Sequence, residues 1–186
     1  MNAAPWLATL PPAASEQAPA RDLASALCAE APRLRRLVHR LLGWRTSAHE
    51  LDDVVQDVLL KAWHHHASFR GEAALATWLT RIAIHQARDH ARKTRLRRAL
   101  FGWLVPFAEP ASRTADDACE APLDRTRRAL QQLAADDREV LVLRYLEQRD
   151  IAEIALLLAI SRAAVDARLS RARARLRVKL GLEARR

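Results

Sequence analysis

Apolar residues recur at helical spacing along most of this chain, and the breaks between the runs are short and polar. Leu34, Leu37, Val38, Leu41 and Leu42 fall on one face of a helix that Gly43 ends. Ser47, with Glu50 three residues on, forms a capping box for the next helix. That helix carries Leu51, Val54, Val55, Val58, Leu59 and Ala62 on one face, running on to Trp63. Its other face opens with Glu50, Asp52, Asp53, Gln56 and Asp57. A break follows at Ser68–Glu72, with Gly71 as the turn, and a third helix is expected from about Ala73 to Arg98. Its apolar side is Leu75, Trp78, Leu79, Ile82 and Ala83.

The helical period is then lost. Residues 99–123 join a proline- and glycine-broken apolar stretch, ALFGWLVPFAEP, to the acidic TADDACEAP. This reads as a flexible linker. Beyond it, Leu130, Leu133, Val140, Leu141, Leu143, Tyr145 and Leu146 predict two short helices meeting near Ala134–Asp137. Ile151–Leu158 is a further short helix and Ala159–Ile160 a tight turn. Ser161 caps a last helix reaching about Lys179, packed through Val165, Leu169, Ala172 and Leu176. Helix, tight turn, helix with a basic second member is the pattern of a helix-turn-helix. The fold expected is all-α: two small helical domains, residues 30–98 and 124–180, joined by the linker 99–123. Residues 1–29, rich in Ala and Pro, read as a disordered N-terminal extension.

Composition narrows the function. The chain has 186 residues, only 4 glycines and a formal net charge of +9, which favours helices and a polyanionic partner. Cys28 and Cys119 lie far apart at no metal-ligand spacing, as in a reduced, cytoplasmic protein. The N-terminus lacks a basic start and is broken by proline, and the apolar runs are too short to span a bilayer. Neither export nor membrane insertion is expected. His64, His65 and His66 sit about 100° apart on a helix and cannot converge on one ion. No nucleophile–base pair, phosphate loop or dinucleotide fingerprint occurs, so no catalytic residue, metal or cofactor is assigned.

Two basic elements stand out. On the last helix, Ala163, Ala167, Ser170 and Ala174 lie opposite the apolar stripe, flanked by Arg162, Asp166, Arg171 and Arg173. Small residues there let a helix enter a major groove while arginines reach phosphates or guanine edges. An ordinary solvated basic face is the alternative. The end of the third helix adds Arg92, Lys93, Arg95, Arg97 and Arg98, itself either a solvated face or a second contact. The acids that open the second helix complement its dipole, or form a docking face for a protein. Asp166 is the one acid between Arg162 and Arg177. It either pairs with Arg162 along the helix, for about 0.2–0.5 kcal/mol, or faces the groove, where a carboxylate accepts from cytosine N4 and is repelled by phosphate.

The stretches ELDDVVQDVLLKAW, FRGEAALATWLTRIA, REVLVLRYLE and AEIALLLAIS…RLSRARARL, in this order and spacing, resemble an extracytoplasmic-function (ECF) sigma factor of bacterial RNA polymerase. The resemblance covers roughly residues 30–98, as sigma region 2, and 124–180, as region 4. It implies a factor that binds core polymerase and directs promoter-specific initiation without performing chemistry. Asp52, Asp53, Val54, Val55, Gln56 and Asp57 would dock on the clamp coiled coil of the largest polymerase subunit. Phe69, Arg70, Gly71, Glu72 and Ala73 would belong to the loop that captures a flipped base of the minus-ten element. Thr77, Trp78, Arg81, His85, Arg88, Asp89 and Arg92 would follow on the helix that opens and reads that element. The spacing of Trp78 with Leu75, Leu79 and Ile82 also fits core packing.

In region 4 the resemblance assigns the minus-thirty-five element to Ser161, Arg162, Ala163, Ala164, Asp166, Ala167, Arg168, Ser170, Arg171 and Arg173. The partners implied are core polymerase, including its flap region, promoter DNA and an anti-sigma factor. The chain departs from the family pattern at His85 (usually Asn), Ala134–Ala135 (usually a Pro pair), and Gln148 and Ala159 (usually turn glycines). Residues 163–168, where the pattern reads G-T-V-K-S-R, are Ala-Ala-Val-Asp-Ala-Arg. A stand-alone helix-turn-helix regulator is the rival reading, and it leaves the first two motifs without a role.

Overall fold

The computed structural model describes residues 20–44, 46–66, 75–101 and 122–182. These form α1 (Ala20–Leu41), α2 (Ala48–His64), α3 (Leu75–Phe101), α4 (Pro122–Gln131), α5 (Ala135–Leu141), α6 (Ile151–Leu158) and α7 (Arg162–Lys179). A π-helical turn, Val142–Leu146, continues α5. Among the described residues there is no strand, and the all-α expectation holds.

Contacts divide the chain into two units, residues 1–38 with 47–86, and 39–46 with 87–186. In the first, α1 supplies Leu34, Leu37 and Val38, α2 supplies Leu51, Val54, Val55, Val58 and Ala62, and α3 supplies Trp78, Leu79, Ile82, Ala83 and Ile84 to one core. Arg33 ties α1 to α3: its Nη2 donates to Thr80 Oγ1 at 2.8 Å and its Nη1 to the Ala76 carbonyl at 3.3 Å. Ser47 and Glu50 form the expected capping box at the start of α2. The apolar face of α2 is narrower than its sequence pattern, because Leu59 is only half-buried and Trp63 is exposed.

In the second unit Leu130, Leu133, Val140, Leu141, Leu143, Ile154, Leu158, Val165, Leu169 and Ala172 form the core. Asp150 caps α6 in a capping box with Glu153, and Ser161 caps α7. Ala159 turns between these helices with φ +55°.

The structure moves three expected boundaries. α1 begins at Ala20, inside the 1–29 stretch expected to be disordered, and Leu27 is buried there. Leu27 lies two turns before Leu34 on the same face, so burying it repays the ordering of an alanine-rich turn. α3 runs to Phe101, so residues 99–101 of the expected linker are helical. Pro122 starts α4, where its missing N–H costs nothing; residues 102–121 lie outside the described part.

The contact boundary also falls within α1 and α3 rather than at the linker. Side chains of α5 and of the turn after it explain this. Arg138 Nε donates to the Leu41 carbonyl at 3.0 Å and its Nη1 to the Leu133 carbonyl at 3.2 Å. Arg88 Nη2 donates to Glu139 Oε2 at 2.8 Å, and Arg40 pairs with Glu147 at 2.9 Å.

Candidate nucleic-acid interface

On α7 the N-cap comes first. Ser161 Oγ accepts from the Ala164 N–H at 3.1 Å, which starts the helix and fixes its rotation. Val165, Leu169 and Ala172 are buried against the core. That leaves Ser161, Arg162, Ala163, Asp166, Ala167, Ser170, Arg171 and Ala174 exposed together. Two members of the expected DNA face are less exposed, and a third, Arg173, is exposed but engaged by its own helix. Ala164 and Arg168 are half-buried, and the Arg168 charge acts inward on Glu139. Arg173 curls back, its Nε donating to the Leu169 carbonyl at 3.3 Å, and it lines a neighbouring groove.

That groove, about 320 Å³, is floored by Leu130, Leu141, Val142, Tyr145, Leu146 and Leu176, with Arg173 and Arg177 among its other lining residues. It is apolar with a basic edge. The sequence gives no sign of it as a site, because its residues read only as core spacing.

On α2 the structure splits the expected docking set. Asp52, Asp53, Gln56 and Asp57 are exposed. Val54 and Val55 are 4% and 8% exposed, so their side chains belong to the core and not to a docking face. The helical period makes this unavoidable, since consecutive residues point about 100° apart. Asp52 accepts from Arg35 Nε at 2.8 Å, and His49 lies 3.7 Å from Asp53.

On α3 the minus-ten set divides as well. Trp78 and Arg81 are 2% and 5% exposed. Both are core residues of the first unit, which removes them from any DNA-facing surface. Thr77, His85, Arg88 and Asp89 are half-buried, and Arg92 is exposed beside Asp89 at 2.9 Å. Arg88 directs Nε and Nη2 at Glu139 Oε2, at 3.2 and 2.8 Å, so its guanidinium is already engaged. Phe69, Arg70, Gly71, Glu72 and Ala73 lie outside the described residues. Lys93, Arg95 and Arg97 extend the exposed basic end of α3.

Sequence reasoning missed the charged pair at the start of α5. Burial pushes the Glu139 carboxyl above its ordinary range, opposed by the Arg88 charge and hydrogen bonds; burial likewise lowers Arg138, opposed by Glu139. The available signal was two adjacent charges just before the apolar Val140–Leu143 run. Among the described residues no group of three or more His, Cys, Asp and Glu is placed to hold a metal ion. His66 instead sets its Nδ1 2.7 Å from the Trp63 carbonyl.

Known proteins match this arrangement over both halves. Residues 27–97 match the family model for sigma-70 region 2, and residues 123–176 that for sigma-70 region 4. The chain is 36% identical to the ECF RNA polymerase sigma factor SigM of Mycobacterium tuberculosis, over 80% of this chain and 74% of that protein. It is 35% identical to the RNA polymerase sigma factor CnrH of Cupriavidus metallidurans, over 68% of this chain and 71% of that one. It also matches a probable sigma factor, RfaY of Xanthomonas campestris, at 36% identity, over 69% of this chain but only 34% of that protein. Its fold resembles the sigma factor RpoE in complex with the anti-sigma factor NepR from Bartonella quintana, with TM-score 0.66 and 25% identity over 88% of this chain and 99% of that one. It also resembles CnrH in complex with the cytosolic domain of CnrY, with TM-score 0.61 and 27% identity over 88% and 90%. A helical unit with an acidic face, a helix-turn-helix with a basic one, and these matches to both sigma regions together make the chain a member of the ECF sigma factors, which direct RNA polymerase in transcription initiation.

Proposed function

We propose that this sigma factor docks on core RNA polymerase through Asp52, Asp53, Gln56 and Asp57, presented to the clamp coiled coil of the largest subunit. The segment from Phe69 to Arg92 takes the minus-ten element, and the outer face of α7 takes the minus-thirty-five element. Extracting a base from the stack costs a few kcal/mol, and stacking returns about 1–3 kcal/mol per base, so opening needs no nucleotide hydrolysis. The apolar groove beside Arg173 and Arg177 receives the polymerase flap region. An anti-sigma factor is a further partner, because the similar sigma factor RpoE has been solved bound to one. The factor acts in the cytoplasm, and no helix among the described residues is long and apolar enough to cross a membrane.

The observation that carries this reading is the division of α2, where exposed Asp53, Gln56 and Asp57 alternate with the buried Val54, Val55 and Val58. A helix so anchored offers its acids as a rigid face at little ordering cost. The test is Asp53→Ala with Gln56→Ala in a pull-down with purified core polymerase, alongside run-off transcription. We expect weaker core binding and unchanged helical content; unchanged affinity refutes the docking assignment. A stand-alone helix-turn-helix regulator would leave residues 27–97 without a role.

A further inference from the structure

Among the described acids of the second unit, only Asp136 and Asp166 make no hydrogen bond or ion pair, and Asp136 lies in the first turn of α5, where its charge complements the helix dipole. Asp124, Asp137, Glu139, Glu147 and Glu153 each hold an arginine. Asp150 holds a backbone amide in its cap. Asp166 has Arg162 one turn earlier, at the spacing of an intrahelical pair, yet among the described residues that pair is not formed and its carboxylate has no partner. The side chain is exposed, on the side of α7 away from buried Val165 and Leu169. Ala163, Ala167 and Ser170 beside it are small, and the exposed Arg162 and Arg171 flank them. A short carboxylate among these small residues can come within hydrogen-bond reach of a base edge while the flexible flanking arginines extend to phosphates.

We propose that Asp166 selects a cytosine in the upstream promoter element, its carboxylate accepting from the exocyclic N4 amino group in the major groove. The inference rests on the assignment of α7 to that element. An ionised carboxylate only accepts. Cytosine offers a donor at N4; guanine offers two acceptors, N7 and O6; thymine offers the O4 acceptor and a methyl group. Adenine offers the N6 donor beside the N7 acceptor, so the second carboxylate oxygen meets a lone pair there. Cytosine alone presents nothing that repels the group. The same carboxylate is repelled by phosphate wherever the helix sits out of register. Asp166 therefore lowers general affinity and raises discrimination, on a helix whose arginines supply the general attraction.

The test is transcription by reconstituted holoenzyme from a promoter library randomised across the upstream element, using wild type, Asp166→Ala and Asp166→Asn. For wild type we expect one position at which cytosine is preferred about tenfold. Asp166→Ala loses that preference and keeps the others. Asp166→Asn moves it to adenine, because an amide donates to N7 while accepting from N6. Wild type with no preference anywhere in the element would overturn the α7 assignment itself. Wild-type selectivity that Asp166→Ala leaves intact, with transcription raised alike on every sequence, would overturn the cytosine contact and leave the carboxylate as a phosphate repellent alone.

Discussion

Ala159, between α6 and α7, and Gln148, before α6, both adopt φ +55°, the left-handed region that L residues enter at about 1–2 kcal/mol. These are two positions where the family pattern places glycine. Glycine would remove the strain but brings greater freedom in the unfolded chain, at about 0.5–1 kcal/mol. We expect Ala159→Gly to stabilise the protein by about 0.5–1 kcal/mol, read as a higher urea midpoint. Gln148→Gly should gain less, because Gln148 Nε2 also donates to the Tyr145 carbonyl at 2.7 Å. A lower midpoint for Ala159→Gly would show that the turn is not strained. Gly43 is the reverse case. It sits at φ +81°, and a Cβ there would stand 3.0 Å from Arg138 Cζ, so Gly43→Ala should destabilise.

At the scale of single elements, α5 carries the most consequential charges. Arg138 supplies a cation and a donor to the Leu41 carbonyl at the C-terminus of α1, where carbonyls lack helical partners, and a second donor to the Leu133 carbonyl after α4. Glu139 is buried with Arg88 as its counter-ion. Its folded pKa lies above the unfolded value of about 4.3. Below that value both states are neutral at this group and burial carries no charge penalty. As pH rises through the folded pKa, the unfolded chain ionises first and stability falls. We expect Glu139→Gln to remove that fall. The difference in melting temperature, variant minus wild type, should be larger at pH 7.5 than at pH 4.5, measured by thermal denaturation at both. An identical difference at the two pH values would mean that Arg88 fully offsets the burial. α3 gives a complementary expectation. Trp78→Ala should cost about 3–5 kcal/mol of stability, because it empties core volume rather than removing a base stack.

Across the whole molecule, the net charge of +9 attracts DNA without sequence preference, and its burial pattern decides which arginines take part. Promoter binding by the holoenzyme should weaken steeply with salt. Arg171→Ala, on the exposed face of α7, should lower the slope of log affinity against log salt by about 1. Arg168→Ala should change the slope less, because that side chain is half-buried. Equal slopes for both variants would place Arg168 on the phosphate backbone after all.

The amino-acid sequence alone determined the elements. Each helix signal is local: the capping box of Ser47 and Glu50, the Ser161 cap, and the stripe Val165–Leu169–Ala172 all act within one or two turns. The all-α fold and the outward side of α7 followed from these, and the family from the resemblance carried by four collinear motifs. What a helix touches on its other sides depends on residues far along the chain, and there the sequence was silent. Arg81 read as a groove residue and Trp78 as either a base stack or core; both are buried in the first unit. Val54 and Val55 read as part of a docking motif, although the helical period turned them inward. Arg138 reaches Leu41 across 97 positions and Arg88 reaches Glu139 across 51. A charge that far from its partner carries no local pattern, so only the tertiary structure could decide that these arginines hold the fold while Arg162, Asp166 and Arg171 stay exposed on α7.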